Sequence, residues 1–366
     1  SYASTMIPAV VSISYINYAI VAVLGGIMAL SGMTDAGSLA SYLVFVRQAA
    51  APINQFTQQS NFLLAALAGA ERVFEVLDER PETDEGGTVL VSVEESGGKL
   101  RETGRKTGKW AWRSPEGELR PLRGDVRFED VDFGYEPGRP VLHGVSLYAH
   151  PGQKIAFVGS TGAGKTTITN LINRFYDVER GCVVYDGIDV RDIKKESLRR
   201  SLGMVLQDTW LFNGTIRENI RYGRPDATDA EVEAAARAAR CDHFIHTLAG
   251  GYDFMINEEG TNLSQGQRQL VTIARAILAD RPALILDEAT SNVDTRTEEL
   301  IQRAMDALMQ GRTSFVIAHR LSTIRNADVI LVIRDGDIVE KGTHDELLAQ
   351  GGFYADLYNS QFDEAA

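Results

Sequence analysis

The octapeptide Gly159-Ser160-Thr161-Gly162-Ala163-Gly164-Lys165-Thr166 constrains this chain more than any other segment. It matches G-x-x-x-x-G-K-[ST], follows the apolar run Lys154 to Val158, and precedes a helical pattern, Thr167 to Phe175. A strand, a glycine-rich loop and a helix in that order form a phosphate-binding loop. The glycines allow backbone N–H groups to converge on phosphate oxygens, and the helix N-terminus adds positive potential. In such a loop Lys165 neutralises the β- and γ-phosphates and the Thr166 hydroxyl holds Mg²⁺. Such a unit requires a parallel sheet with helices to cover it. Further short Val- and Ile-rich runs occur at Leu202 to Leu206, Ala283 to Leu286, Ser314 to Ile317 and Val329 to Ile333, alternating with helical patterns. From Asp125 onward the expectation is therefore an α/β domain with a largely parallel sheet.

The run Ala283 to Leu286 ends in Asp287-Glu288. Ends of parallel strands open onto the ligand crevice. Asp287 is expected to hold Mg²⁺, through water, and Glu288 to orient or deprotonate the attacking water. Two carboxylates after a buried strand can also be solvated caps, a reading the upstream phosphate loop disfavours.

The first 34 residues carry no charge, and Met6 to Leu30 is long enough to cross a bilayer, for which about 20 residues are needed. A buried helix of a large soluble protein is the alternative. A turn at Ser31 to Gly37 leads into a second stretch whose only charge between Asp35 and Glu71 is Arg47, with Pro52 as a kink and a polar run at Gln55 to Asn61. Hydropathy alone does not mark this stretch as a span; a helix that crosses the membrane and continues into the cytosol accounts for both halves. Arg47 then sits near mid-membrane, facing a polar cavity or else snorkelling or paired with a neighbour. The chain begins at Ser1 without an initiator Met or a basic leader, and the expectation is a piece of a longer protein.

Between these parts, Gly86 to Gly124 is rich in Gly, Glu, Lys and Arg. Lys109-Trp110-Ala111-Trp112-Arg113 and Ser114-Pro115-Glu116-Gly117 read as a strand and a turn. The expected organisation is a helical region over 1–79 (helices about 5–30 and 35–78), a linker with a small two-stranded insertion over 80–124, and an α/β domain over 125–366. An aromatic-basic patch also suits nucleic-acid stacking. However, 37 Lys and Arg against 50 Asp and Glu give a net charge of −13, which argues against a nucleic-acid partner. Two cysteines, Cys182 and Cys241, exclude a disulfide framework and fit a reducing compartment. His243 and His246 lack further ligands for zinc, and Asp186-Gly187-Ile188-Asp189 lacks the spacing of a calcium loop.

Leu263-Ser264-Gln265-Gly266-Gln267 resembles the signature motif of ATP-binding cassette (ABC) proteins, with Gln265 where Gly is commonest. The resemblance runs from Asp125 to Phe362. It implies an α/β P-loop ATPase domain, with a RecA-like core and antiparallel-β and helical subdomains, preceded by all-α transmembrane helices. By the same resemblance Tyr135 stacks on adenine, Gln207 senses Mg²⁺ and the membrane part, and Ser291-Asn292-Val293-Asp294 is the D-loop. His319 is then the switch histidine at the γ-phosphate. The nucleotide site includes Thr167, and Ser264, Gln265, Gly266 and Gln267 face the γ-phosphate of an ATP held by another subunit. Asn257-Glu258-Glu259-Gly260 resembles the exporter X-loop with Asn257 in place of Gly, and Thr34 to Leu77 resembles the last membrane helix of exporters.

The implied protein is a half-transporter of the bacterial multidrug type. It exports a small or amphipathic substrate, with ATP and Mg²⁺ as cofactors. Its partners are the lipid bilayer, the transported substrate and a second half-transporter. A different partner is favoured over an identical one, on the resemblance of Ile155 to Asn173 and Thr261 to Gln269 to heterodimeric exporters. The implied location is the cell membrane, multi-pass, with the ATPase domain cytoplasmic. A soluble cassette ATPase, a lipid or peptide exporter, and a non-hydrolysing regulatory cassette are the alternatives.

Overall fold

The computed structural model describes residues 2–105, 107–207, 209–257, 260–287, 294–318 and 321–362. The chain divides into two compact units, Ser1–Thr83 and Asp84–Ala366. The first is a pair of helices, α1 (Tyr2–Leu30) and α2 (Ala36–Leu77). Ser31 and Gly32 turn the chain, Gly32 with φ +74°, and Asp35 caps α2 by accepting from the Ser38 N–H at 2.9 Å. The helices approach closely: a Cβ on Gly25 would lie 2.3 Å from Leu39 Cδ1. Small residues permit such contacts between membrane helices. Val11–Leu30 is apolar and long enough to cross a bilayer, with mean hydropathy 1.9 and none of it buried. α2 does not meet that test, in keeping with its polar middle, and Arg47 is exposed on it.

The second unit opens with β1 (Val89–Ser96), β2 (Lys99–Glu102), β3 (Trp110–Arg113) and β4 (Leu119–Pro121). Then come β5 (Val126–Phe133), β6 (Leu142–Ala149), β7 (Lys154–Val158) and α3 (Lys165–Ile172). Next are β8 (Arg180–Tyr185), β9 (Ile188–Asp189), α4 (Lys195–Ser201) and β10 (Leu202–Val205). A mainly helical stretch follows, with β11 (Gly214–Thr215), α5 (Ile216–Arg221), α6 (Asp229–Ala238), α7 (Asp242–Thr247), β12 (Met255–Ile256) and α8 (Gln265–Ala279). The chain continues with β13 (Ala283–Asp287), α9 (Thr295–Met309), β14 (Thr313–Ile317) and α10 (Leu321–Arg325). It ends with β15 (Val329–Arg334), β16 (Asp337–Gly342), α11 (His344–Gln350) and α12 (Phe353–Phe362).

The main sheet has the order β10-β13-β14-β7-β15-β16, parallel except for β16. Its central strands are buried on both faces, as parallel strands between helix layers are. Ala156, Val158, Leu284, Leu286 and Val316 join one hydrophobic cluster with α8 and α9. The alternate residues Ile155, Phe157, Ile285, Phe315 and Ile317 join the other, with α3 and the antiparallel sheet β6-β5-β8-β9. The expected α/β architecture, a largely parallel sheet covered on both faces, is present.

The segment before Val126 departs from expectation in its strand count. It is four strands, in the order β2-β1-β3-β4, where a two-stranded insertion was expected. From Asp84 onward it belongs to the second unit, in keeping with an insertion packed on the next domain. The missed strands read as linker because Gly97-Gly98, both at positive φ, form the β1–β2 turn and the strand beside them is polar. Long-range bonds do the docking: the Asp84 carboxylate accepts the Lys195 N–H at 3.1 Å, and the Gly87 and Thr88 N–H groups donate to the Asp192 carbonyl. Trp112 is fully buried with its ring edge-on to Tyr185 at 5.5 Å, so it is core and not a stacking surface.

Asp186, expected as a plain turn residue, holds this sheet in place. It adopts φ +51° and accepts from Trp112 Nε1 at 2.9 Å and from the Arg123 and Asp125 N–H groups at 3.1 and 2.9 Å. Burial pushes its carboxyl pKa up, and these N–H donors oppose the shift. Asp186→Ala leaves three donors without their acceptor. We expect a loss of about 2–3 kcal/mol, together with loss of amide hydrogen-exchange protection over 89–121. Unchanged protection there would show that apolar packing alone holds the sheet.

Candidate nucleotide-binding site

The parallel ladder brings the loop residues to one edge. Asp287 pairs with Ile317 and Ile317 with Phe157, so the ends of β13, β14 and β7 lie level. The phosphate loop leaves β7 at that edge, and Gln207 follows β10, whose Val205 pairs with Leu286. Gln207 is exposed. Glu288, His319 and the D-loop residues Ser291, Asn292 and Val293, together with Glu258 and Glu259 of the X-loop stretch, lie outside the described residues.

Within the loop, Gly159 is crowded: a Cβ there would lie 2.2 Å from the Ile333 carbonyl oxygen. Gly162 and Gly164 hold φ of +85° and +108°, and a Cβ on Gly164 would press on Leu142 Cδ2 at 2.8 Å. Glycine is therefore required by contact at two positions and by backbone angle at the other. Ser160 and Thr161 are exposed at the loop tip, whereas Ala163 is buried, its N–H donating to Ser160 O and its carbonyl accepting from Gly336 N–H. Lys165 is the first residue of α3, and its Nζ donates to the Gly159 and Ser160 carbonyls, each at 2.8 Å. Burial lowers the ammonium's pKa, while the Asp287 charge acts to raise it. A cation inside a loop of N–H groups at a helix start suits a polyanionic phosphate. Thr166 is exposed beside it, a hard oxygen donor near Asp287's end of the sheet.

Tyr135 follows β5 of the antiparallel sheet and is about half exposed. Its hydroxyl lies 3.2 Å from Thr167 Oγ1 and accepts from Asn170 Nδ2 at 3.3 Å. Phe133 and Tyr176 meet its ring edge-on at 5.0 Å. The aromatic is thus fastened to the helix that begins at the phosphate loop. Thr167, buried, serves that link. Asn170 and Tyr176 are partners that sequence reasoning missed, since nothing in their spacing marks them.

The signature residues occupy another helix start. Ser264 caps α8: its hydroxyl accepts the Gln267 N–H at 3.3 Å, and Gln267 Oε1 accepts the Ser264 N–H at 3.0 Å. That acceptance leaves the Ser264 O–H as a donor. Gln265 is exposed and Gly266 buried in the first turn. Asn257 bonds Thr261 twice through its own side chain, at 2.8 Å each. Asp294 caps α9 by accepting from the Thr297 N–H at 3.0 Å. Among the described residues, no hydrogen bond joins the signature to the phosphate loop of the same chain.

One further residue escaped the sequence reading. Arg275 of α8 donates to Asn219 O at 2.8 Å and to Trp210 O at 3.1 Å, and its guanidinium lies over Phe212 and Tyr222 at 5.4 and 5.5 Å. It fixes the segment that follows Gln207 onto α8. A basic residue amid the apolar periodicity of α8 is the only local signal.

Residues 142–291 match the ABC transporter family. The chain carries an ABC transporter ATP-binding domain. An uncharacterized ABC transporter ATP-binding protein of Bacillus subtilis (strain 168) is 47% identical over 363 residues, covering 99% of this chain and 56% of the relative. The fatty acid ABC transporter ATP-binding/permease protein of Mycobacterium bovis is 49% identical, over 95% of this chain and 50% of its own length. The ATP-dependent lipid A-core flippase of Desulfotalea psychrophila is 42% identical over 92% of this chain and 54% of its own. The solved structure of a bacterial Atm1-family ABC exporter with ATP bound matches with TM-score 0.67 and 37% identity, covering 90% of this chain and 53% of that one. The chain spans about half the length of the curated relatives it matches. The matched ABC segment begins at β6 and includes the phosphate loop, the signature and β13.

The contacts of the ABC domain's glycines yield a graded expectation. Gly159→Ala drives a methyl into a backbone carbonyl and should abolish measurable binding of a fluorescent ATP analogue. Gly162→Ala meets no atom within 4 Å. It pays only backbone strain, about 1–2 kcal/mol, and should weaken binding by roughly tenfold. Equal effects in a titration of both variants would refute the assignment of Gly159 to steric necessity.

Proposed function

We propose that the helical pair and the ABC domain work together in an ATP-driven exporter of a lipid-like or otherwise amphipathic substrate. The observation that carries this reading is the coverage of the matches. Relatives whose names include a fatty acid transporter and a lipid A-core flippase align with 92–95% of this chain, helices and ABC domain together. The uncharged, unburied span Val11–Leu30 supports a membrane setting over a soluble cassette ATPase. The proposed location is the cell membrane, with the ABC domain on the cytoplasmic side.

In this reading the phosphate loop, Gly159 to Thr166 with Thr167 behind it, grips the triphosphate, and Tyr135 stacks on the base. Lys165 exchanges its loop carbonyls for phosphate oxygens. Thr166, Asp287 and Gln207 are the oxygen donors proposed for Mg²⁺, a hard cation that prefers such ligands. When bound, Mg²⁺ would offset charge on the β- and γ-phosphate oxygens. Glu288 orients the attacking water and accepts its proton, and His319 donates to the γ-phosphate as charge develops there. Ser264, Gln265, Gly266 and Gln267 complete the site on a second cassette, the Ser264 O–H and the first-turn N–H groups of α8 supplying donors. Asp294, already holding the start of α9, lies on the same D-loop.

Each cassette then contributes half of every site, and ATP joins the two. Hydrolysis separates them and moves the attached helices between inward- and outward-facing states. The proposed partner is a different half-transporter, on the likeness of Ile155 to Asn173 and Thr261 to Gln269 to heterodimeric exporters.

ATPase activity of the full-length subunit in lipid tests this, alone and with a co-purifying half-transporter. Glu288→Gln should lower turnover at least about 100-fold while nucleotide binding persists. Unchanged turnover would remove Glu288 from the mechanism. Activity that appears only with the second half-transporter supports a heterodimer, activity alone an identical pair, and silence in both settings rejects ATP-driven export.

A further inference from the structure

A second cleft lies at the opposite end of the main sheet from the phosphate loop. It is about 460 Å³ and separates the β1–β4 sheet from the turns that enter β13 and β14. Trp110 and Leu122 line one side, and Asp280, Arg281 and Arg312 the other. Its charges are unevenly matched. Lys109 is paired with Glu95 at 3.1 Å and Arg312 with Asp280 at 2.6 Å. Among the described residues, the half-buried Arg281 makes no hydrogen bond or ion pair, and neither does Arg200, whose guanidinium lies over the Trp110 ring at 5.8 Å. Arg200 and Arg281 are close enough to oppose each other: burial lowers the Arg281 pKa first, Arg200 lowers it further, and Asp280 only partly compensates. A cation withdrawn from water without a counter-charge is costly, and like charge beside it adds to the cost. Paired carboxylates at both flanks leave the Arg281 guanidinium and the Trp110 indole facing one opening, with the exposed Arg200 guanidinium against that indole.

We propose that this cleft is a binding site for a small organic anion with a flat apolar body, its phosphate or carboxylate head held by Arg281 and Arg200 and its body against Trp110. A planar fork suits either head group bidentately, and an indole flanked by a guanidinium accepts a flat ring. The site is separate from the ATP site. It touches the entry of β13, whose far end is Asp287, and of β14, so an occupant bears on the strands that carry the nucleotide edge.

The test uses the full chain in lipid nanodiscs with the phosphate loop saturated by ATPγS and Mg²⁺. The probe, 1-naphthyl phosphate, is titrated by calorimetry and by Trp fluorescence, with inorganic phosphate compared. Expected is one-to-one binding, at least tenfold tighter than inorganic phosphate. Arg281→Gln and Arg200→Gln should each weaken it tenfold or more without altering ATPγS affinity, which reports an intact domain. If Arg281→Gln loses ATPγS binding through misfolding, Trp110→Leu decides, with the same tenfold loss expected. No saturable binding, equal affinity for inorganic phosphate, or changes within twofold in the intact variants would each overturn the proposal.

Discussion

The level ends of β13, β14 and β7 are the constraint on which the nucleotide edge depends. Asp287, Ile317 and Phe157 are aligned across the ladder, so segments more than a hundred residues apart in sequence reach the same edge. Two hydrophobic clusters enforce that alignment, because alternate residues of each strand belong to opposite layers. A slip by one residue would exchange the layers along a whole strand, exposing one set of apolar groups and crowding the other. The same ladder places Ile333 beside the exit of β7, where its carbonyl leaves no room for a side chain at position 159. Loop geometry is thus a consequence of sheet register, and α3 inherits its starting point from both.

The parts of this arrangement that were legible in sequence are those written locally. The runs Lys154 to Val158 and Ala283 to Leu286 are short, apolar and bounded by polar residues, and a phosphate loop must sit between strand and helix. What stayed hidden depends on contacts between distant segments. β1 ends in Glu94-Glu95-Ser96 and turns at two glycines, so its composition is that of a linker, and it becomes a strand because Leu90 and Val93 are buried in the fold. Asp186 has the composition of a turn; its carboxylate acquires a role only when Trp112 and Arg123 arrive from more than 60 residues upstream. Tyr135 was reached only through the family resemblance, and its anchoring to Thr167 and Asn170 required the helix to be in place.

An acidic chain that binds a polyanion illustrates that a site's potential is local. The net charge of −13 is a property of the whole surface, and exposed charges farther apart than about a Debye length scarcely interact. The phosphate loop relies on backbone dipoles and one buried ammonium. Guanidinium groups elsewhere do structural work in the same way: Arg275, stripped of water by burial, is repaid by carbonyls of Asn219 and Trp210 and by two aromatic faces. Arg281 stands apart because, among the described residues, it makes no hydrogen bond or ion pair, and the like charge of Arg200 adds to its cost of burial.

The helical pair presents the converse problem. In α1, Ile13, Ile16, Val23, Leu24 and Ile27 are all more than half exposed, and in α2 Phe45, Phe62, Leu64 and Leu67 are as well. Apolar surface of that extent is unfavourable in water and is a mark of lipid or protein cover. The close contact of Gly25 with Leu39 joins the helices to each other but conceals little of these faces. Since lipid tails are as apolar as the side chains, covering the faces with lipid supplies no reason for them to associate, and packing and small-residue contacts must supply it. Polar groups within α2, among them Gln55, Gln58 and Gln59, favour the side of the helix turned from lipid. The exposed apolar residues of this unit therefore call for cover by lipid or protein, and its polar groups for partners or water.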